Sequence, residues 1–174
     1  KGAGKMILKD VQFIEKQSDI VFIVDSTGSM GEEINDVRTT ITNFADDLQK
    51  KDINYRLALI EFKDYPIFSC GDVTDFPFKK YSFGEGDFTS DITEYKNEVD
   101  SLTPLGGQDF PESHLSALNE SLYLDYQDNA KKIVILLTDN RPHAKDCLCS
   151  HEIKYVGCYN NSISSSCSIL RCET

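Results

Sequence analysis

Residues 20–30 read Ile20-Val21-Phe22-Ile23-Val24-Asp25-Ser26-Thr27-Gly28-Ser29-Met30, and this stretch decides the fold. Its first five side chains are apolar without a break and are β-branched or aromatic. Such a run suits a strand buried on both faces, as in a parallel sheet covered by helices; a half-solvated antiparallel strand would alternate. The polar turn that follows sets a carboxylate and several hydroxyls at the strand's C-terminal end. Beyond the turn, Ile34, Val37, Ile41, Phe44 and Leu48 recur at offsets of three and four, which places them on one helix face. Glu32 and Glu33 are expected in the first turn of that helix, where negative charge suits its dipole.

Working outward, Arg56 to Phe62 reads as a second strand, stopped by Lys63-Asp64-Tyr65-Pro66. Residues 67–88 read as a mixed loop with a short strand near Lys80 to Phe83, and the phenylalanines of residues 62–88 are expected to form loop core rather than a binding platform. A helix is predicted over Asp91–Leu102, with Thr89 and Ser90 as candidate N-caps. The Gly106-Gly107 turn leads to another helix from about Pro111, a tolerated first-turn residue, with Leu115, Leu118, Leu122 and Tyr126 as its apolar set. Ile133 to Leu137 again suits a buried strand and ends in Thr138-Asp139. This alternation predicts an α/β fold: a doubly wound, mostly parallel central sheet flanked by helices. Residues 1–17 form a lead-in with one candidate strand, Val11 to Ile14, and the domain spans 18–174. Its C-terminal part, 141–174, is atypical: Ile153 to Tyr159 has strand character but follows Asp139 too closely for a full crossover helix. That part is expected to be truncated or tied down by disulfides.

The 174 residues carry 18 basic and 29 acidic side chains, for a formal net charge of −11. That excess repels nucleic-acid phosphates and anionic membranes, so neither is an expected partner. No stretch approaches the ~20 apolar residues that span a bilayer, and no membrane insertion is expected. Cys70 stands apart from Cys147, Cys149, Cys158, Cys167 and Cys172, which crowd the C-terminus. Six cysteines allow fifteen pairings, and disulfides in an oxidising compartment are the leading reading. A zinc site and free thiols are the alternatives. The sequons at Asn119 and Asn160 are compatible with secretion.

In an open parallel sheet the C-terminal strand ends line one crevice, where such folds bind ligands. The sequence places Asp25, Thr27 and Ser29 there, then the Gly106 to Glu112 loop, then Thr138 and Asp139. Carboxylates and hydroxyls without a thiol or imidazole make a hard, all-oxygen donor set. Glu112 reads as first-turn helix charge, and His114, His143 and His151 read as surface or packing residues. No catalysis is expected. A haloacid dehalogenase-type phosphatase needs a second aspartate where Thr27 stands; Gly2-Ala3-Gly4-Lys5 lacks the spacing of a phosphate loop; and no Gly-x-Ser-x-Gly elbow occurs.

Asp25-Ser26-Thr27-Gly28-Ser29 resembles the Asp-x-Ser/Thr-x-Ser motif that opens the metal-ion-dependent adhesion site of von Willebrand factor A domains. Gly106-Gly107-Gln108-Asp109-Phe110-Pro111-Glu112 resembles the second leg of that site in hemicentin-like and many microbial members, and Leu137-Thr138-Asp139 resembles the third. Arg56 to Pro66 resembles the second strand and turn of the same subgroup, and the likeness covers about residues 18–140. The resemblance implies a metal site of Asp25, Thr27, Ser29, Asp109 and Asp139 that takes Mg²⁺ or Ca²⁺, with Mn²⁺ as a further candidate. It implies direct ligation by the hydroxyls of Thr27 and Ser29, direct or water-mediated ligation by Asp25, and a water between Asp139 and the ion. Asp109 stands where many members place threonine, which keeps an oxygen and adds a charge.

The function so implied is that of a divalent-cation-dependent protein-binding or adhesion module of an extracellular or cell-surface protein. An Asp or Glu carboxylate of a protein partner completes the ion's shell. The alternatives are an intracellular scaffold in an ATPase-type assembly and a structural module with a purely stabilising metal. Non-reducing mass spectrometry separates the compartments. Three disulfides are the expected result, and six free thiols overturn the surface reading.

Overall fold

Four strands form one sheet in the computed structural model, which describes residues 17–51, 53–66, 71–108 and 112–142. They are β1 (Ser18–Asp25), β2 (Tyr55–Phe62), β3 (Lys79–Lys80) and β4 (Lys131–Leu137), in spatial order β3-β2-β1-β4. β1 runs parallel to both neighbours, with Ile20 opposite Leu57 of β2 and Ile133 of β4, while β3 pairs antiparallel with β2. The helices are α1 (Ile34–Lys50), α2 (Ile92–Ser101) and α3 (His114–Ser121). The α/β architecture expected from the sequence is the one found.

β1 explains the layering. Ile20, Phe22 and Val24 point to one face, where they pack in a cluster with Ile41 and Ala45 of α1 and Tyr95 and Val99 of α2. Val21 and Ile23 point to the other, in a cluster with Phe62, Phe88, Leu124 and Ala117 of α3. None of the five is more than 3% exposed, and full burial of each such side chain contributes about 2 kcal/mol.

Several local expectations shift. A short 3₁₀ turn, Gly28–Gly31, comes between the polar turn and α1, so Glu32 and Glu33 precede the helix and Asp36 is the acid of its first turn. Ala45 takes the inward place beside Ile41 and Leu48, while Phe44 lies at the margin, edge-on to Phe22 at 5.6 Å. α2 is capped by Asp91, whose carboxylate accepts from the backbone N–H groups of Thr93 and Glu94; Thr89 acts one step back, accepting from Asp91 N–H. α3 starts at His114 and buries His114, Ala117 and Ser121; Leu118, with Tyr126 beyond the helix, packs half-buried against the same core as expected, while Leu115 and Leu122 are half-buried. Small side chains let this short helix lie close to the sheet, and the leucines flank the contact. The strand near Lys80 shrinks to two residues, with Phe83 and Gly86 forming an isolated bridge. Phe62, Phe83 and Phe88 are core as expected, but Phe78 is exposed. β4 is half-buried, because among the described residues it is the sheet's edge. The candidate strands Val11 to Ile14 and Ile153 to Tyr159, and all six cysteines, lie outside the described residues.

The N-terminal end of the sheet is closed by an ion pair. Asp19 and Arg56 face each other in register across β1 and β2. Arg56 Nε and Nη2 donate to the two carboxylate oxygens at 3.0 and 2.8 Å, and its guanidinium lies 4.7 Å over the Phe88 ring. Gln127 N–H donates to the same carboxylate, which is fully buried. Removing the partner of a buried charge costs about 3–5 kcal/mol. Arg56→Leu is therefore expected to lower stability in urea denaturation by about 3 kcal/mol. Since the pair lies at the opposite end of β1 from Asp25, any response to divalent cations should survive the substitution.

Candidate metal centre

Parallel pairing of β1 with β2 and β4 brings their C-terminal ends to one rim. Asp25, the last residue of β1, is fully buried there. Its Oδ1 accepts from the Thr27 backbone N–H (2.9 Å) and the Thr27 hydroxyl (2.6 Å). Its Oδ2 accepts from the Thr138 hydroxyl just past β4, at 2.8 Å. Thr27 Oγ1 lies 3.1 Å from Ser29 Oγ, which lies 3.2 Å from Asp139 Oδ1. Asp25, Thr27, Ser29 and Asp139 thus form one continuous run of oxygens. A hydroxyl has one proton and two lone pairs. Thr27 commits its proton to Asp25, and Ser29 donates within the run, so lone pairs remain on both for a cation.

Structure brings together four of the five site residues named by sequence. Asp109 lies outside the described residues. His114 is a packing residue as expected, edge-on to Phe62 at 5.8 Å, and His143 and His151 lie outside the described residues. Among the described residues no three acidic, histidine or cysteine side chains converge as a metal-binding group; what converges is two carboxylates and two hydroxyls.

The expectation for Glu112 is overturned. It precedes α3 and is only 2% exposed, not a solvated first-turn charge. A Cβ built on Gly107 would stand 3.2 Å from Thr27 Cβ and 3.7 Å from Glu112 Oε1, so this carboxyl faces the same rim. Its Oε2 is buried with no hydrogen-bond partner among the described residues. Burial, with Asp25 and Asp64 nearby, pushes its pKa up to about 9. Burial also raises Asp25 above the usual carboxylate range, with Asp139 adding to the shift, against the hydrogen bonds from Thr27 and Thr138. The signal for Glu112 was the Pro-Glu pair ahead of the helical period, which alone reads equally well as a helix entry. Thr138 was visible beside Asp139, but its bond to Asp25 is tertiary.

The adjacent ammonium does not neutralise the rim. Lys63 is buried, and its Nζ donates to the carbonyls of Thr103 (3.1 Å) and Leu105 (2.6 Å). Burial lowers its pKa in spite of Glu61, Asp75 and Asp25 around it. Two carboxylates, hydroxyl lone pairs and a buried acceptor without a partner among the described residues fit a hard divalent cation held by oxygen.

Comparison with known proteins agrees with this geometry. The family model described as von Willebrand factor type A domain matches residues 19–156. Von Willebrand factor A domain-containing protein 7 of Mus musculus is 31% identical over 109 residues, covering 63% of this chain and 10% of that protein. The chain therefore spans about a tenth of that relative. Two crystal structures of the pilus adhesin SpaC from Lactobacillus rhamnosus GG superpose with a TM-score of 0.56 each, covering 75% of this chain and 16% of the adhesin. Identity is 25% for the open conformation and 22% for the other form, the latter showing likeness of fold alone.

Glu112 yields a pH prediction for the metal-free domain. In the unfolded chain its carboxyl has the ordinary glutamate pKa of 4.5, and in the native state it is pushed up to about 9. Within that window the folded protein keeps a proton that the unfolded chain has released. Stability should then fall as pH rises, by up to about 1.4 kcal/mol per pH unit per proton. Asp25, also raised, adds a decline of the same sign at the acid end. Glu112→Gln is expected to flatten the decline and to raise the melting temperature in EDTA at pH 8 more than at pH 5.5. Parallel profiles for both proteins would remove Glu112 from the charge cluster.

Proposed function

We propose that this chain, which belongs to the von Willebrand factor type A domain family, is a divalent-cation-dependent protein-binding module of a cell-surface protein. The observation that carries the reading is the run of oxygens from Asp25 through Thr27 and Ser29 to Asp139 at the C-terminal end of the sheet. Thr27 and Ser29 would hold Mg²⁺ or Ca²⁺ by their hydroxyls, with Asp25 and Asp139 supplying the negative charge. Asp109 enters on sequence alone. When bound, the ion supplies an open position for an Asp or Glu carboxylate of a protein partner. The chain's own part is to fix these oxygens in place, on strand ends that are tied into the sheet.

The likeness to a pilus adhesin supports both the adhesive role and the cell-surface location. Among the described residues no helix is long and apolar enough to cross a membrane. A single carboxylate contact in competition with water is weak, so affinity and selectivity come from the surface around the ion.

Calorimetric titration of Mg²⁺ and Ca²⁺, with melting curves alongside, tests the site. Asp25→Ala should abolish cation binding and the cation-dependent rise in melting temperature while the fold persists, since Asp25 lies at the rim. The same melting shift in that variant would place the ion elsewhere. Asp109 adds a second test. Asp25 and Asp139 together balance a divalent ion, and a third carboxylate would make the site net negative and repel an incoming acid. Asp109→Thr is therefore expected to weaken metal affinity and to strengthen cation-dependent binding of an acidic ligand. Equal metal affinities for wild type and Asp109→Thr would take Asp109 out of the site.

A further inference from the structure

Two apolar side chains stand in solvent beside the rim: Val73, 90% exposed, and Leu105, 63% exposed. Their backbones are firmly held. Leu105 N–H donates to the Ser26 carbonyl at 3.0 Å, between the two ligand candidates Asp25 and Thr27. The Leu105 carbonyl accepts from the buried Lys63 ammonium. Val73 lies in the turn closed by Asp75, whose Oδ2 accepts from Asp72 N–H (2.7 Å) and from Gly107 N–H (2.8 Å). Gln108 Nε2 donates to Asp72 Oδ1 at 2.6 Å. The loops bearing Val73 and Leu105 are thus laced together next to Thr27. An exposed apolar residue by itself needs no explanation. Two of them, on loops bonded to each other beside Thr27, offer apolar surface next to the rim.

The charge around this apolar surface points to the partner's own charge. Among the described residues, Glu32, Glu33, Asp72 and Asp139 are exposed around the rim, and Arg141 is exposed near them. The chain as a whole carries −11. A partner carboxylate approaching this surface meets repulsion that acts over about 8 Å at physiological ionic strength. Basic side chains offset it only if they lie within that distance of the carboxylate.

Resting on the cation-dependent reading above, we propose that the partner is a protein segment of composite chemistry. Its acidic residue is flanked by an apolar side chain that covers Val73 and Leu105, and by lysine or arginine within about 8 Å. The apolar surface sets which acidic segments bind, and the surrounding carboxylates reject those without local positive charge.

A display library of fully randomised peptides, selected against the whole chain in Mg²⁺ and again in EDTA, tests this. The Mg²⁺ pool should be enriched in an acidic residue with apolar and basic neighbours. The double variant Val73→Ser, Leu105→Ser alters only exposed side chains. It should bind the best peptide about tenfold more weakly and select pools without the apolar preference, while keeping the acidic one. Raising the salt to about 1 M, where screening acts within about 3 Å, should remove the advantage of basic neighbours. Acidic enrichment without apolar or basic neighbours, or an unchanged pool from the double variant, overturns the inference and leaves the cation-dependent reading standing. No acidic enrichment in Mg²⁺, or the same pool in EDTA, overturns that reading and the inference with it.

Discussion

β1 is paired on both edges and buried on both faces, so the only part of it that can meet a ligand is its end. This constraint organises the rest of the molecule. A strand of five consecutive apolar residues needs helices on both sides, which α1 and α2 provide on one face and α3 on the other. Parallel neighbours require crossovers, and crossovers return every strand in the same direction. The polar residues that follow β1 and β4 are therefore delivered to the same rim. Asp25, at the end of the most buried strand, is the group that the arrangement must satisfy first. Its two oxygens take hydrogen bonds from Thr27 and from Thr138, which belong to the ends of different strands.

What the fold gathers there is electrostatically uncomfortable. Asp25, Glu112 and Asp139 face a common region, and the buried Lys63 is turned away to carbonyl oxygens. A neighbouring carboxylate, Glu61, is handled differently. It is buried in β2, accepts from the Ser26 hydroxyl at 2.6 Å and the Tyr81 hydroxyl at 2.7 Å, and has Lys79 within 3.6 Å. Glu61 is a satisfied acid that fixes the turn after β1. Glu112 is not so paired: burial raises its pKa, and its Oε2 has no hydrogen-bond partner among the described residues. Of two buried glutamates, one is tied into the sheet by hydrogen bonds and the other keeps an acceptor open toward the rim.

Much of this was legible because it is local. The unbroken run at Ile20 to Val24 specifies a central strand, and Asp25, Thr27 and Ser29 follow it within one turn, so their convergence needs only that the strand end at a rim. Asp139 follows from the same logic on β4. The register of α1 was legible for Ile34, Ile41 and Leu48, whose spacing repeats every seven residues. In α3 the apolar period finds Leu118 and Tyr126, which pack against the core, but not Ala117 and Ser121, which are buried deepest and carry little hydrophobic signal. Glu112 was misread because a glutamate ahead of a helix is usually exposed there. Its burial depends on a backbone bond from its N–H to the Arg141 carbonyl beyond β4, a pairing with no trace in local sequence.

The second loop of the rim shows how far such tertiary dependence reaches. Gly106 and Gly107 both have positive φ, which glycine adopts without strain. A Cβ on Gly106 would collide with the Asp75 carboxylate, so this position disfavours a side chain on steric grounds as well. Asp75 occupies that space to accept from Gly107 N–H, and Gly107 in turn lies against Thr27. The loop that leads toward Glu112 is thus placed by an aspartate from the β2–β3 connection that faces no ligand position itself. The ends of β1 and β4 are fixed by strand ladders, whereas this loop is fixed by the side chains of Asp75 and Lys63 and by two isolated backbone bonds, Leu105 N–H to the Ser26 carbonyl and Gly28 N–H to the Gly106 carbonyl. Segments held in that way open at lower free energy than paired strands. This loop is therefore the part of the rim whose order is most easily lost, and the bonds from Asp75 and Lys63 hold it in place.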